Sequence, residues 1–260
     1  ITLVLVVRPD PKGISEKMAP LSTDGVVAYS AVCTHYGCQV TLMHPNQRAV
    51  VCNCHGSTFD VGNSGEIIGG PATRYALAAV RHMHEYGTTK EQMAQVAVAT
   101  RKWATLNLRA MMRDPITVDD VLKSKEIAWP FNLLDCCLVT DGGGALVVTS
   151  AERAKSCAKK PVYVLGTGEA TTHSIISQMP RFHVWDAAIM AGERAWAMSG
   201  VKHSEIDFAM FYDAFTIVPI LALEALGFCK PGEGGAFVED GRTGPGGSFP
   251  MNTNGGGLSY

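Results

Sequence analysis

Cys33-Thr34-His35-Tyr36-Gly37-Cys38 and Cys52-Asn53-Cys54-His55-Gly56-Ser57 are the two stretches that decide how this chain is read. In each box one cysteine and one histidine stand two or three residues apart, on a loop between apolar runs. Two such loops can face each other and present two thiolates and two imidazoles, from Cys33, His35, Cys52 and His55. A zinc site or a disulfide knot is the competing reading of cysteines so crowded. Zinc sites usually repeat Cys-x-x-Cys or His-x-x-x-His within a box, and neither box does so. Cys136, Cys137, Cys157 and Cys229 are scattered by contrast, so the cysteines form two populations that need two explanations.

Around the boxes, from Ile1 to about Val80, short apolar runs are cut by turn signals. These are Pro9 to Gly13, Asp24-Gly25, His44 to Gln47, Gly62 to Gly65 and Gly69-Gly70-Pro71, the pattern of a small all-β domain. After about Arg81 the texture changes. Thr88 to Met112 predicts a helix, and Val184 to Ser199 predicts another, stopped by Gly200. Cys136 to Thr140, Ala145 to Thr149, Pro161 to Leu165 and Phe208 to Tyr212 predict buried strands. Strands alternating with helices indicate an α/β layered fold. The expected domains are therefore residues 1–80 and 81–260, joined without a Gly/Ser-rich or Pro-rich linker.

A chain of 260 residues with 47% hydrophobic content can fill a core. Its net charge of -2, spread without long runs of one sign, speaks against nucleic acid or an anionic lipid surface as partner. The apolar opening Ile1 to Val7 is broken by Thr2 and reads as a strand, because a bilayer-spanning helix needs about 20 apolar residues. No transmembrane segment and no secretory signal are expected. The chain begins at Ile1 and not at a methionine, which suggests that a natural N-terminus is missing.

Two thiolates on one iron and two imidazoles on the other make a binuclear iron-sulfur centre, with two negative charges fewer than a four-thiolate site and a higher reduction potential. Cys33 to Cys38, Cys52 to Asp60 and Gly69-Gly70-Pro71-Ala72 resemble Rieske proteins of the respiratory, quinol-oxidising type. That resemblance implies a 2Fe-2S cluster with Cys33, His35, Cys52 and His55 as ligands. Cys38 and Cys54, one per box, are then placed to bond across the loops as a disulfide. It also implies that the Ser57 hydroxyl donates to a cluster sulfur, and that Gly70-Pro71-Ala72 forms a third loop over the cluster. High-potential members carry a tyrosine where this chain has Phe59, which implies a lower potential here, although packing explains a phenylalanine equally well. Rieske oxygenases generally lack the extra pair at Cys38 and Cys54 and need a mononuclear iron site. The nearest set here, His173, His183 and Asp186, has no matching spacing. His82 and His84 read as a solvated element end.

In the second half, Phe211 to Thr216 ends one predicted element and opens another, with N-capping by Asp213 or a buried Tyr212 as the simplest account. Asp141 to Gly144 reads as a tight turn, and Gly166-Thr167-Gly168 lacks the third glycine of a dinucleotide fingerprint. Taken in order, His84 to Thr89, Asp141 to Ala145, Tyr212 to Thr216 and Asn252 to Tyr260 resemble thiolase-like proteins of the lipid-transfer and steroid side-chain aldolase branch. The resemblance implies acyl-CoA as substrate and carbon-carbon bond chemistry. The nucleophilic cysteine of true thiolases should precede the segment matching His84, and it is absent. Tyr212 and Tyr260 occupy positions at which tyrosines serve as acid-base groups in the branch's aldolases. The chain stops at Tyr260, before the family's closing loop, so this half is expected to be incomplete.

The sequence therefore reads as a small all-β Rieske domain followed by an incomplete α/β layered thiolase-like domain. One expected function is one-electron transfer, as an electron-transfer protein or oxidoreductase subunit, with a quinol or cytochrome complex as redox partner. The alternative is an acyl-CoA carbon-carbon lyase or acyltransferase carrying an accessory cluster. Residues 81–260 would then offer a surface for a homodimer or a thiolase-type partner. The first half suggests the outer face of a respiratory membrane and the second the cytoplasm.

Overall fold

In the computed structural model, which describes residues 4–33, 38–44, 47–52, 56–140, 142–173 and 176–260, the chain divides into two units, Ile1–Ala76 and Leu77–Tyr260. The first unit holds two antiparallel sheets. Val4–Val7 (β1) pairs with Val27–Ser30 (β2). Val40–Met43 (β3), Ala49–Cys52 (β4), Thr58–Asp60 (β5) and Glu66–Gly69 (β6) form a four-stranded meander in sequence order. Val7, Met18, Val27, Cys33, Val40, Val50, Cys52 and Val61 make one buried cluster, with Tyr29, Cys38 and Phe59 packed against it. Asp24 and Gly25 both take positive φ, 51° and 73°. That is the two-residue turn their sequence predicts, closed by Thr23 and Val26 donating to each other's carbonyls.

Arg48 ties this unit together. Its Nε and Nη2 donate to Oδ1 and Oδ2 of Asp60 at 2.9 and 2.8 Å, and Asp60 Oδ1 also accepts from Gly62 N at 2.9 Å. The fork-to-fork geometry suits a guanidinium and a carboxylate. It holds the Asp60 carboxyl below the usual carboxylate range.

Strand structure ends at Gly69, and the all-β expectation for the first 80 residues is corrected there. Pro71–Tyr86 is a helix, α1. Proline suits the first helical position, where no N–H is needed, and the run Ala76-Leu77-Ala78-Ala79 carries the helix onward.

In the second unit, Lys90–Thr105 (α2) starts at the Thr89 and Gln92 capping box. Met93, Ala94, Val96, Ala97 and Ala104 are among its buried residues. It packs against Val118–Lys123 (α3) and against three helices described below. Ala151–Ala154 (α4) is one turn. Asp186–Ser199 (α5) ends at Gly200, in the left-handed conformation at φ 65°, as its sequence predicts. Ile217–Ala225 (α6) is buried along most of its length, and Gly234–Phe237 (α7) and Gly256–Ser259 (α8) are single turns. Helices α6, α7 and α8 are the other three against α2. Among the described residues no helix is long and apolar enough to cross a membrane.

The predicted strands of this half are not ladder strands among the described residues. The sheet present is the hairpin of Glu126–Ala128 (β7) and Phe131–Asn132 (β8). Cys136 and Ala209 make isolated bridges, to Phe215 and Met251. Val147 and Val162 are 96% and 94% exposed. β-Branched residues favour an extended backbone, but a strand exists only where a second strand meets its N–H and C=O groups.

Asp60→Asn in the full chain should destabilise the first unit by about 1 to 3 kcal/mol, since hydrogen bonds to a charged group are lost. The folded-state pKa of Asp60 lies below its unfolded value. The contribution is therefore present above the unfolded value and lost as pH falls through the folded one. Urea melts of both chains should differ at pH 7 and converge in acid. A constant difference down to acid pH would show that the ion pair is not its source.

Candidate functional site

The sheet register brings the two cysteine boxes to one end of the meander. Cys52 closes β4 opposite Val40, the first residue of β3, and Val32 bridges Gln39 just before β3. Cys33 N donates to Cys38 O at 2.7 Å, closing the base of the first box. Cys52 N donates to Ser57 O, and Gly56 N to Cys52 O, both at 2.8 Å, closing the second. Cys33 and Cys52 are free thiols, 2% and 0% exposed. Cys38 is disulfide-bonded. His35, Cys54 and His55 lie outside the described residues.

Ser57 is buried beside Cys52. A methyl group built on Gly70 would stand 3.7 Å from Ser57 Cα and 3.8 Å from its Oγ, so the segment before Pro71 packs on the second box. Pro71 itself is half-buried at the start of α1. Phe59 packs against the apolar cluster, as the packing account of that residue requires. Two dry, unoxidised thiols at neighbouring loop bases are the donors an iron-sulfur centre needs, and the described part of the donor set fits that group.

A second constellation lies in the unit that begins at Leu77. Phe211 to Thr216 and Asn252 to Tyr260 come together there, with Phe211 N donating to Asn252 Oδ1 at 2.7 Å. Asp213 is the link. Its carboxylate is buried and accepts from Gly257 N at 2.6 Å and Leu258 N at 3.4 Å. It therefore caps α8, and not α6, the helix that follows it in sequence. Gly256, at φ 55°, is required beneath it: a methyl group there would fall 2.8 Å from Asp213 Cγ and 2.9 Å from Thr100 Cγ2. Burial pushes the Asp213 carboxyl up. Tyr212 and Tyr260 are both exposed, at 65% and 42%, so Tyr212 is not the buried tyrosine of the simplest account.

Cys136 and Cys137 border this constellation. Cys137 N donates to Ala214 O and Leu138 N to Gly257 O, each at 2.9 Å. Burial, with Asp135 adding to it, pushes the Cys136 thiol up to about 12, and burial raises Cys137 as well. Asp135 is buried and accepts from Asn132 N at 2.9 Å and Thr216 Oγ1 at 2.8 Å. Arg101 is buried too, its Nε donating to Ser259 Oγ at 2.7 Å.

Sequence reasoning missed Asp135, Arg101 and the long-range role of Asp213, since Thr216, Ser259 and Gly257, with which they bond, are remote in sequence. It also misread His82. That ring is fully buried, with Nδ1 2.8 Å from Thr88 Oγ1 and Nε2 3.1 Å from both oxygens of Glu224. His84 is exposed. His173, His183 and Asp186 are not brought together: they contact Thr172, Tyr86 and Arg181 respectively.

Comparison with known proteins finds two matching families, the first of which runs past the boundary between the two units. Residues 6–96 match the Rieske 2Fe-2S domain, and residues 168–260 match the thiolase C-terminal domain-like family. The steroid side-chain-cleaving aldolase of Thermomonospora curvata is 40% identical over 193 residues, 72% of this chain and 49% of that protein. The 17-hydroxy-3-oxo-4-pregnene-20-carboxyl-CoA lyase of Mycobacterium tuberculosis is 38% identical over 193 residues, covering 72% and 50%. The solved Ltp2-ChsH2(DUF35) aldolase superimposes with a TM-score of 0.70 at 38% identity, over 73% of this chain and 51% of that one. The chain thus spans about half the length of the curated relatives it matches. It carries a Rieske 2Fe-2S domain over residues 6–96 and a thiolase C-terminal domain-like segment over residues 168–260.

Proposed function

We propose that the chain is a one-electron carrier whose first half holds a 2Fe-2S cluster through Cys33, His35, Cys52 and His55, and whose second half is an acyl-CoA-associated module without its own nucleophile. The observation that carries this reading is the contrast among the cysteines of one sheet end. Cys33 and Cys52 are buried free thiols, whereas Cys38 is disulfide-bonded. Once held by those four side chains, a 2Fe-2S cluster supplies a site that takes up and releases one electron. Cys33 and Cys52 provide the thiolates, and His35 and His55 the imidazoles. The cluster of Val40, Val50 and Val61 keeps water from the thiolate side. Ser57 offers a hydroxyl donor beside Cys52, and Gly70, just before Pro71 and the start of α1, packs on the second box. Cys38 pairs with Cys54 to fasten the two loops. The redox partner is a quinol or a cytochrome-type complex, and residues 81–260 form a homodimer or dock a thiolase-type partner.

A second reading is favoured by the juxtaposition of Tyr212 to Thr216 with α8. Exposed Tyr212 and Tyr260 would act as acid-base groups in carbon-carbon cleavage of an acyl-CoA, the reaction class named for several relatives. Anaerobic iron-sulfur reconstitution followed by visible and EPR spectroscopy tests the first reading, and retro-aldol turnover of acyl-CoA adducts tests the second.

His35→Cys or His55→Cys should keep iron but lower the reduction potential, because a thiolate adds negative charge that opposes reduction. An unchanged or higher potential on voltammetry would remove these residues from the ligand set. Cys38→Ser or Cys54→Ser should still assemble the centre yet lose iron faster to a chelator. Complete failure to assemble would make these cysteines ligands.

No thiolytic turnover of acetoacetyl-CoA is expected. Acyl transfer needs a thiolate, and burial raises the Cys136 and Cys137 thiols, which disfavours that form. Turnover at ordinary enzymatic rates that disappears in Cys136→Ser or Cys137→Ser would refute the assignment.

A further inference from the structure

Arg74 sits in the first turn of α1, half-buried, and its guanidinium rests against Gly56 of the second cysteine box. A methyl group built on Gly56 would fall 2.6 Å from Arg74 Cζ and 2.9 Å from its Nε. The guanidinium therefore fills the place that a side chain at position 56 would take. Gly56 has φ 73°, so glycine is required both by the backbone and by the arginine. This backbone is a fixed part of the loop: Gly56 N donates to Cys52 O at 2.8 Å, and Thr58 Oγ1 donates to Gly56 O at 3.1 Å. Gly56 directly follows His55.

The charge has no carboxylate partner among the described residues. Arg48, the other guanidinium seated against glycines in this unit, is paired with Asp60.

We infer that Arg74 is a positioning residue of the cluster site that sets its reduction potential, by holding an unpaired cation on Gly56 beside the ligand loop. The inference rests on the cluster reading proposed above. Reduction adds one electron, hence one negative charge, with no bond made or broken. A cation a few ångströms from the ligand loop favours that extra charge, and partial burial limits screening by solvent. Arg74 thus acts against Phe59, where the resemblance implies a missing hydroxyl donor and a lower potential.

The test is the midpoint potential of the reconstituted full chain against its Arg74→Lys, Arg74→Gln and Arg74→Glu variants, with EPR g-values and the rate of iron loss to chelator as controls. The expected order is the unmodified chain and the lysine variant highest, glutamine lower and glutamate lowest, with unchanged g-values. Arg74→Met repeats the neutral comparison if the glutamine variant fails to load. Equal potentials across charges overturn the inference while leaving the cluster reading intact, as does a loss of iron retention in every variant with no ordering by charge. An unmodified chain that assembles no cluster refutes both.

Discussion

The pairing of Val40 with Cys52 across β3 and β4 is the contact on which the first unit's chemistry depends. It sets the first box, which ends just before β3, beside the second, which begins at the end of β4. A slip of one residue would turn Cys52 from the buried face of the sheet to the other face, because side chains alternate along a strand. The apolar neighbours Val50 and Val61 and the tie from Arg48 to Asp60 act through that register. They keep the β4–β5 pair from shifting and hold both thiols dry.

In the second unit the organising element is α2, whose small residues let other segments approach closely. A methyl group on Gly255 would stand 3.0 Å from Ala104 Cβ, and α8 lies directly on this surface. Asp213 then satisfies the N–H groups at the start of α8 across 44 residues of sequence. A buried carboxylate with two amide donors is better placed to hold a loop than to exchange protons with solvent, whereas exposed Tyr212 and Tyr260 remain open to it.

The same physical variable, burial, acts oppositely on the two cysteine populations. For Cys33 and Cys52, a dry site excludes water from donors that would be neutralised by iron. For Cys136 and Cys137 burial outweighs what stabilises a thiolate, so the neutral thiol is favoured. The two halves therefore differ in what they can do despite similar residues.

The Asp24-Gly25 turn, a helix within Thr88 to Met112 and the stop of α5 at Gly200 are legible in the sequence, although α2 itself runs from Lys90 only to Thr105. Each is specified by residues within a few positions of one another, where φ preference and capping act. The helix at Pro71 was read as part of a β domain because Gly69-Gly70-Pro71 punctuates strands and helices alike. Ala145 to Thr149 and Pro161 to Leu165 have strand composition, yet no described strand pairs with them. Asp213 capping α8, and His82 buried against Glu224, could not be seen locally either. Sequence by itself determined the spacing of the cysteines and histidines in the two boxes and the local turns. Tertiary structure alone decided which carboxylates are buried, which extended runs have partners and where Arg74 rests, because those depend on atoms supplied by residues far along the chain.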